Sequence, residues 1–261
     1  MKLGIISPVN EESFQNAADK GLDFIEFCIN GGADINLFIS QVPMLILWIQ
    51  KYKVNVGSIG RWKTKILDDN GEINQEEVVI AKKLMNAASA LGCLNYICGC
   101  NFIEKLSYYE NCMRAIDFFS QLLKYGEKES IKVSTYNCRK MNFVNNPMAW
   151  TMIHGHLKGL GIKYDPSHAR YNNGDYIKET LDWGNRFEHV HLKGSLIVDG
   201  NRIDDPPAGL DQTDWKTFFA ILCAKNYRGG FSIEPHSPIW QGECGEKGVN
   251  YTIAYMRSLA F

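Results

Sequence analysis

Gly161-Ile-Lys-Tyr-Asp165-Pro-Ser-His168, Phe187-Glu-His189-Val-His191-Leu-Lys193 and Gly230-Phe-Ser-Ile-Glu234-Pro-His236 are three short, mainly apolar runs, each ending in residues that can bind a metal. Asp, His and Glu supply the oxygen and nitrogen donors that suit a divalent cation such as Mn, Zn, Mg or Co. Each run is of strand length and is followed by a helix-like segment. A closed parallel barrel needs this recurrence, because the C-terminal ends of its strands share one mouth.

The same alternation extends over the whole chain. Strand-like runs fall at Leu3 to Ile6, Phe24 to Cys28, Val54 to Ile59, Tyr96 to Cys98, Ile131 to Tyr136, Ile162 to Asp165, Phe187 to Leu192 and Phe231 to Glu234. Helix signals fill the gaps. Glu11 to Lys20 stops at Gly21, Asn74 and Asn146 are N-cap residues with Pro147 at the first helical position, Thr213-Asp-Trp opens another helix, and Val249 to Leu259 closes the chain. Eight such units in 261 residues predict an α/β fold, a single-domain (β/α)8 barrel spanning residues 1–261. Two connections after strands are long, 60–74 and 193–212, and both are expected to serve as substrate loops.

Composition narrows the class of partner. Twenty-eight basic residues nearly balance 29 acidic ones, and no run of like charge resembles a nucleic-acid arm. The longest apolar run, Val42 to Ile49, is too short for a membrane span, and the N-terminus reads as a first strand instead of a signal peptide. Most of the eight cysteines sit inside apolar patterns, which suits free thiols in a reducing, cytoplasmic setting. Cys98-Gly-Cys100 lacks the second Cys pair or neighbouring His of a zinc finger. A homo-oligomer is compatible with all of this.

Several residues are candidates for chemistry. Asp165 either ligates a metal or simply caps the helix after it. His189 and His191 are two apart and so face the same side of a strand, with His191 nearer the mouth. Lys193 shares that face and is placed to meet an anionic substrate group. Glu234 ends an apolar strand, where an unpaired carboxylate is costly unless it is paired or bound. His236 is a substrate or outer-sphere contact. Glu26 after the second strand, Arg61 and Trp62 after the third, and Arg139 after the fifth also fall at the expected mouth, Trp62 as a cover for a sugar ring. Asp204 and Asp205 read as turn caps.

Taken in order, Tyr-Asp-x-x-His, His-Val-His-Leu-Lys and Ser-Ile-Glu-Pro-His resemble the last three strands of the xylose-isomerase-like barrels, which include sugar isomerases, ketose 3-epimerases and inosose dehydratases. The specific motifs cover about the last third of the chain. The resemblance implies one divalent metal held by Asp165, His191 and Glu234, with His168 matching a histidine that touches substrate in several epimerases. The family's fourth ligand, a Glu on the fifth strand, is missing from Ile131-Lys-Val-Ser-Thr-Tyr-Asn137. Asn137 is the nearest substitute ligand, but an amide has no proton-accepting state near neutral pH.

The resemblance therefore implies a metal-dependent sugar or sugar-phosphate isomerase or epimerase acting through an enediolate, with Glu234 as base and His168 relaying protons. Losing one carboxylate also predicts a preference for anionic ligands. The alternatives are a metal-dependent dehydratase of the inosose type, for which one base is enough, and a non-catalytic sugar-binding barrel. Apurinic-site endonucleases resemble the family too, but the stretch 193–214 contains no His for a three-zinc cluster, and the chain is not basic.

Overall fold

In the computed structural model, which describes residues 1–259, the eight expected strands form a closed, all-parallel barrel. The strands are β1 (Lys2–Ile6), β2 (Phe24–Cys28), β3 (Asn55–Arg61), β4 (Asn95–Cys98), β5 (Lys132–Tyr136), β6 (Gly161–Tyr164), β7 (Phe187–Leu192) and, after a short hairpin of β8 (Leu196–Val198) and β9 (Asn201–Asp204), β10 (Gly230–Ile233). Neighbours follow chain order, and β1 closes the ring by pairing with β10 on one side and β2 on the other. Asp165 and Glu234 lie one residue beyond their strands, at the mouth. The hairpin was not legible in the sequence, where the stretch around Gly200 reads only as a series of turns.

Helices α1 (Glu11–Asp19), α2 (Ile35–Tyr52), α3 (Gln75–Ala90), α4 (Tyr108–Glu129), α5 (Pro147–His156), α6 (Pro166–Tyr171), α7 (Tyr176–Trp183), α8 (Trp215–Ala224) and α9 (Gly242–Leu259) flank the barrel. Asn74 and Asn146 cap α3 and α5 as their chemistry predicts, with Asn146 Oδ1 accepting from Met148 and Ala149. α9 begins seven residues before the expected Val249. No helix among the described residues is long and apolar enough to cross a membrane, and all eight cysteines are free.

The interior of the barrel explains where the site can be. At the N-terminal end the Phe24 ring plugs the bore. A Cβ on Gly4, Gly57 or Gly230 would lie 2.3, 2.2 or 2.7 Å from that ring, so three neighbouring strands need glycine there. Above the plug, barrels normally stack Val, Ile and Leu. Here the strand register instead puts Glu26 beside Ser58, Lys163 beside His189 and Ser232 beside His191, all of them buried. The apolar core lies between the strands and the helices, where Trp150, Tyr164, Phe187 and Phe218 pack together.

His154 ties this outer layer together. Its Nε2 lies 3.1 Å from Thr135 Oγ1 on β5 and its Nδ1 3.1 Å from the Leu160 carbonyl, and burial pushes its pKa from 6.5 down to about 3. The imidazole is thus neutral in the fold and must be protonated to follow the unfolded chain below pH 6.5. Its stabilisation is present above that pH and is lost as pH falls toward 3, at up to about 1.4 kcal/mol per pH unit. Urea denaturation at pH 7, 6 and 5 should therefore show a shallower acid loss in His154→Gln than in the wild type; identical slopes would contradict this assignment.

Candidate metal centre

Three strands build one cluster at the mouth. β7 presents His189, His191 and Lys193 on one face by the two-residue alternation of a strand, and Asp165 and Glu234 arrive from the ends of β6 and β10 on either side. One donor atom from each of Asp165, His191 and Glu234 lies within 4.8 Å of the other two, with His191 Nδ1 2.9 Å from Glu234 Oε2.

Asp165 combines the two roles open to it. Oδ1 caps α6, accepting from the Ser167 amide at 2.9 Å and its hydroxyl at 2.6 Å. Oδ2 is fully buried and accepts no aligned hydrogen bond; it lies 3.1 Å from Lys193 Nζ and 3.5 Å from His168 Nε2. Burial opposes ionisation of Asp165, but the Lys193 ammonium outweighs it and holds the carboxyl below its usual range.

His191 sits between two carboxylates. Nε2 is 3.0 Å from Glu26 Oε2, and Nδ1 is 2.9 Å from Glu234 Oε2. With the proton on Nε2, Nδ1 and Oε2 face each other as two lone-pair donors, an arrangement that needs positive charge between them. A second proton on His191 supplies it, consistent with the upward shift of this imidazole: burial acts against the shift, and Glu26 drives it. A divalent cation would supply it equally well. Asp165 Oδ2, which has ion-pair neighbours but no aligned hydrogen bond, the facing Nδ1 and Oε2, and Glu26 behind the ring together form the carboxylate–histidine support found at metal sites. The donor set fits a divalent cation.

Glu26 belongs beneath this cluster, not at the mouth. It is fully buried, receives His189 Nε2 at 2.7 Å as well as His191, and is closed off from any substrate. Burial alone would raise its pKa, yet His191 and His189 hold it well below the carboxylate norm. A lone carboxylate in the apolar run Phe-Ile-Glu-Phe-Cys is the same signal that picked out Glu234, so its importance was legible but its position was not.

Asn137 also departs from expectation. Its Nδ2 donates to the Asp165 carbonyl at 2.8 Å, and its Oδ1 accepts from the Asp165 amide at 3.0 Å. Both ends of the amide are spent on the backbone that positions Asp165, where ligation had been expected.

Lys193 is 2 % exposed and sits in the midst of the cluster, 3.1 Å from Asp165 Oδ2 and 3.2 Å from Glu234 Oε2. Its Nζ donates to His168 Nε2 at 3.2 Å. Burial and then the Lys193 charge push the His168 pKa down to about 3, so this imidazole is neutral. His236 is largely exposed; its Nδ1 lies 2.7 Å from Asp205 Oδ2, and Asp205, buried, also receives Tyr171 and Arg202. Asp205 is therefore an anchor of the hairpin and not merely a turn cap, and Asp204 accepts from Ser237 Oγ at 2.6 Å.

On the opposite wall, half-buried Trp62 folds over Gly60 and packs against Tyr136 with ring centroids 5.5 Å apart. Arg139 lies exposed on the loop after β5. Arg61 is buried and held by Glu77 at 2.7 and 2.8 Å, so it braces the wall instead of reaching the mouth.

A family model described as a xylose isomerase-like TIM barrel matches residues 14–259, and the chain belongs to that family. No curated protein matches it. Among solved structures it is similar to the 3-keto-D-glucoside 4-epimerase of E. coli, at 17 % identity and TM-score 0.76, with 99 % of each chain covered. It is also similar to a D-psicose 3-epimerase from Clostridium cellulolyticum H10, solved with D-tagatose, at 12 % identity and TM-score 0.79 over 99 % of each chain. A D-allulose 3-epimerase from Methylomonas sp. gives 15 % identity and TM-score 0.75, covering 99 % of this chain and 98 % of that one. At these identities the likeness is one of fold.

Removing the support behind His191 should show in metal affinity. Glu26→Gln is expected to weaken Mn2+ binding about ten- to hundredfold, the usual range for outer-sphere partners. Calorimetric titration of the folded variant checks this, and an affinity equal to wild type would remove Glu26 from the site.

Proposed function

We propose that this member of the xylose isomerase-like barrels is a divalent-metal-dependent sugar isomerase or epimerase that moves a proton beside a ketose or ketose-phosphate carbonyl through an enediolate. The observation that carries the reading is the convergence of donor atoms from Asp165, His191 and Glu234 at the mouth, with neutral His168 and charged Lys193 directly beside them.

A metal bound by Asp165, His191 and Glu234 would supply Lewis-acid polarisation of the substrate carbonyl. The remaining chemistry belongs to side chains. Glu234 is the cluster carboxylate that meets the mouth, with its side chain 20 % exposed. Burial disfavours its ionised form, but Lys193 and His191 keep it ionised, so it is ready to accept a proton from carbon. Neutral His168 accepts from Lys193 at Nε2, and the Lys193–His168 pair can pass a proton or meet oxyanion charge. Half-buried Trp62, backed by the buried Tyr136 ring, offers an apolar surface for a sugar ring.

A second reading draws support from Asn137. Because its amide is turned onto the Asp165 backbone, strand β5 contributes neither base nor acid, and a single-base dehydration of the inosose type needs none there. Lys193, flanked by two carboxylates, would then stabilise the leaving hydroxyl.

Metal-loaded protein incubated in D2O with a panel of ketoses and ketose phosphates should place deuterium on the carbon beside the carbonyl. Glu234→Gln should slow that exchange about a hundredfold or more. Exchange accompanied by an unsaturated ketone product selects the dehydratase, and no exchange with any substrate overturns both readings.

A further inference from the structure

Lys193 competes for the atoms that would bind the metal. Its ammonium lies 3.1 Å from Asp165 Oδ2 and 3.2 Å from Glu234 Oε2, and these two carboxylates supply two of the three donors in the cluster. A divalent ion would contact such donors at about 2.0–2.2 Å, and it would then share two carboxylates with a unit positive charge only a hydrogen-bond length away. At 2 % exposure the ammonium cannot be screened by solvent where it stands. The cluster is also close to neutral before any metal enters, because Glu26, Asp165 and Glu234 face two buried ammonium groups, Lys163 and Lys193.

We propose that Lys193 is a tethered counter-ion that exchanges with the divalent cation: its ammonium neutralises Asp165 and Glu234 in the metal-free protein and leaves both oxygens when the metal binds. His168 is its destination. Nζ already donates to His168 Nε2 at 3.2 Å, and His168 is, with Glu234, one of two partly exposed members of the group, its side chain 19 % accessible. Swinging around His168 Nε2 while keeping that bond, the ammonium would leave the carboxylates for the partly exposed side of His168, where it would face substrate. Metal loading and exposure of an anion-binding group are then one event. Asn137 adds to the effect, since with its amide held on the Asp165 backbone it brings no third carboxylate to the triad to outbid the ammonium.

The inference rests on the metal reading of this cluster, and binding measurements separate the two. Lys193→Met should bind Mn2+ at least tenfold more tightly than wild type by calorimetry. It should also melt at lower temperature without metal and recover on adding Mn2+, because two buried carboxylates have lost their counter-ion. In Lys193→Ala, methylammonium at millimolar concentration should weaken Mn2+ binding, and it should have no such effect on wild type. Folded variants whose Mn2+ affinity is unchanged or weaker, or a lack of methylammonium competition, overturn the exchange. Failure of wild type and both variants to bind Mn2+ overturns the metal reading along with it.

Discussion

His191 is fixed between two carboxylates, Glu26 at Nε2 and Glu234 at Nδ1, and the rest of the mouth is arranged around that imidazole. A buried carboxylate is tolerated when its charge is met by a partner, and breaking such a pair costs far more than forming it gains. Glu26 is met by two histidines, Asp165 and Glu234 by Lys193, and Asp165 in addition by the helix cap of α6. Each charge is stable only while its neighbours stay, so the cluster behaves as one unit.

This dependence accounts for the unusual bore of the barrel. Where Val, Ile and Leu would give a dry column, the strands carry Ser58, Ser134, Lys163, His189 and Ser232, and the hydroxyls of the three serines have no partner within the protein. A polar interior lowers the cost of holding Glu26 and Lys163 away from solvent. Rigidity comes from elsewhere, from the Phe24 plug below and from the aromatic packing between β6, β7 and the outer helices. The protein thus separates the layer that stabilises it from the layer that positions the site.

The residue after the fifth strand acts on the backbone of the sixth. Both ends of the Asn137 amide clamp the backbone of Asp165. It orients Asp165 without adding charge, and Lys193 is the strongest charge acting on both mouth carboxylates, Asp165 and Glu234.

The sequence by itself determined the eight strands, the single barrel, the N-caps of α3 and α5, and Asp165, His191 and Glu234 as the residues meeting at the mouth. These follow from short-range rules: strand alternation, helix capping and the cost of a lone carboxylate in an apolar run. Tertiary structure alone decided that Glu26 lies beneath the histidines, that Asn137 turns onto a backbone, that Arg61 pairs with Glu77 in the wall, and that Lys193 sits between Asp165 and Glu234. The physical reason is that a side chain's role is set by the charge and hydrogen-bond partners around it. Here those partners are brought together by barrel closure, as with Glu26 and His189, which are 163 residues apart in the chain.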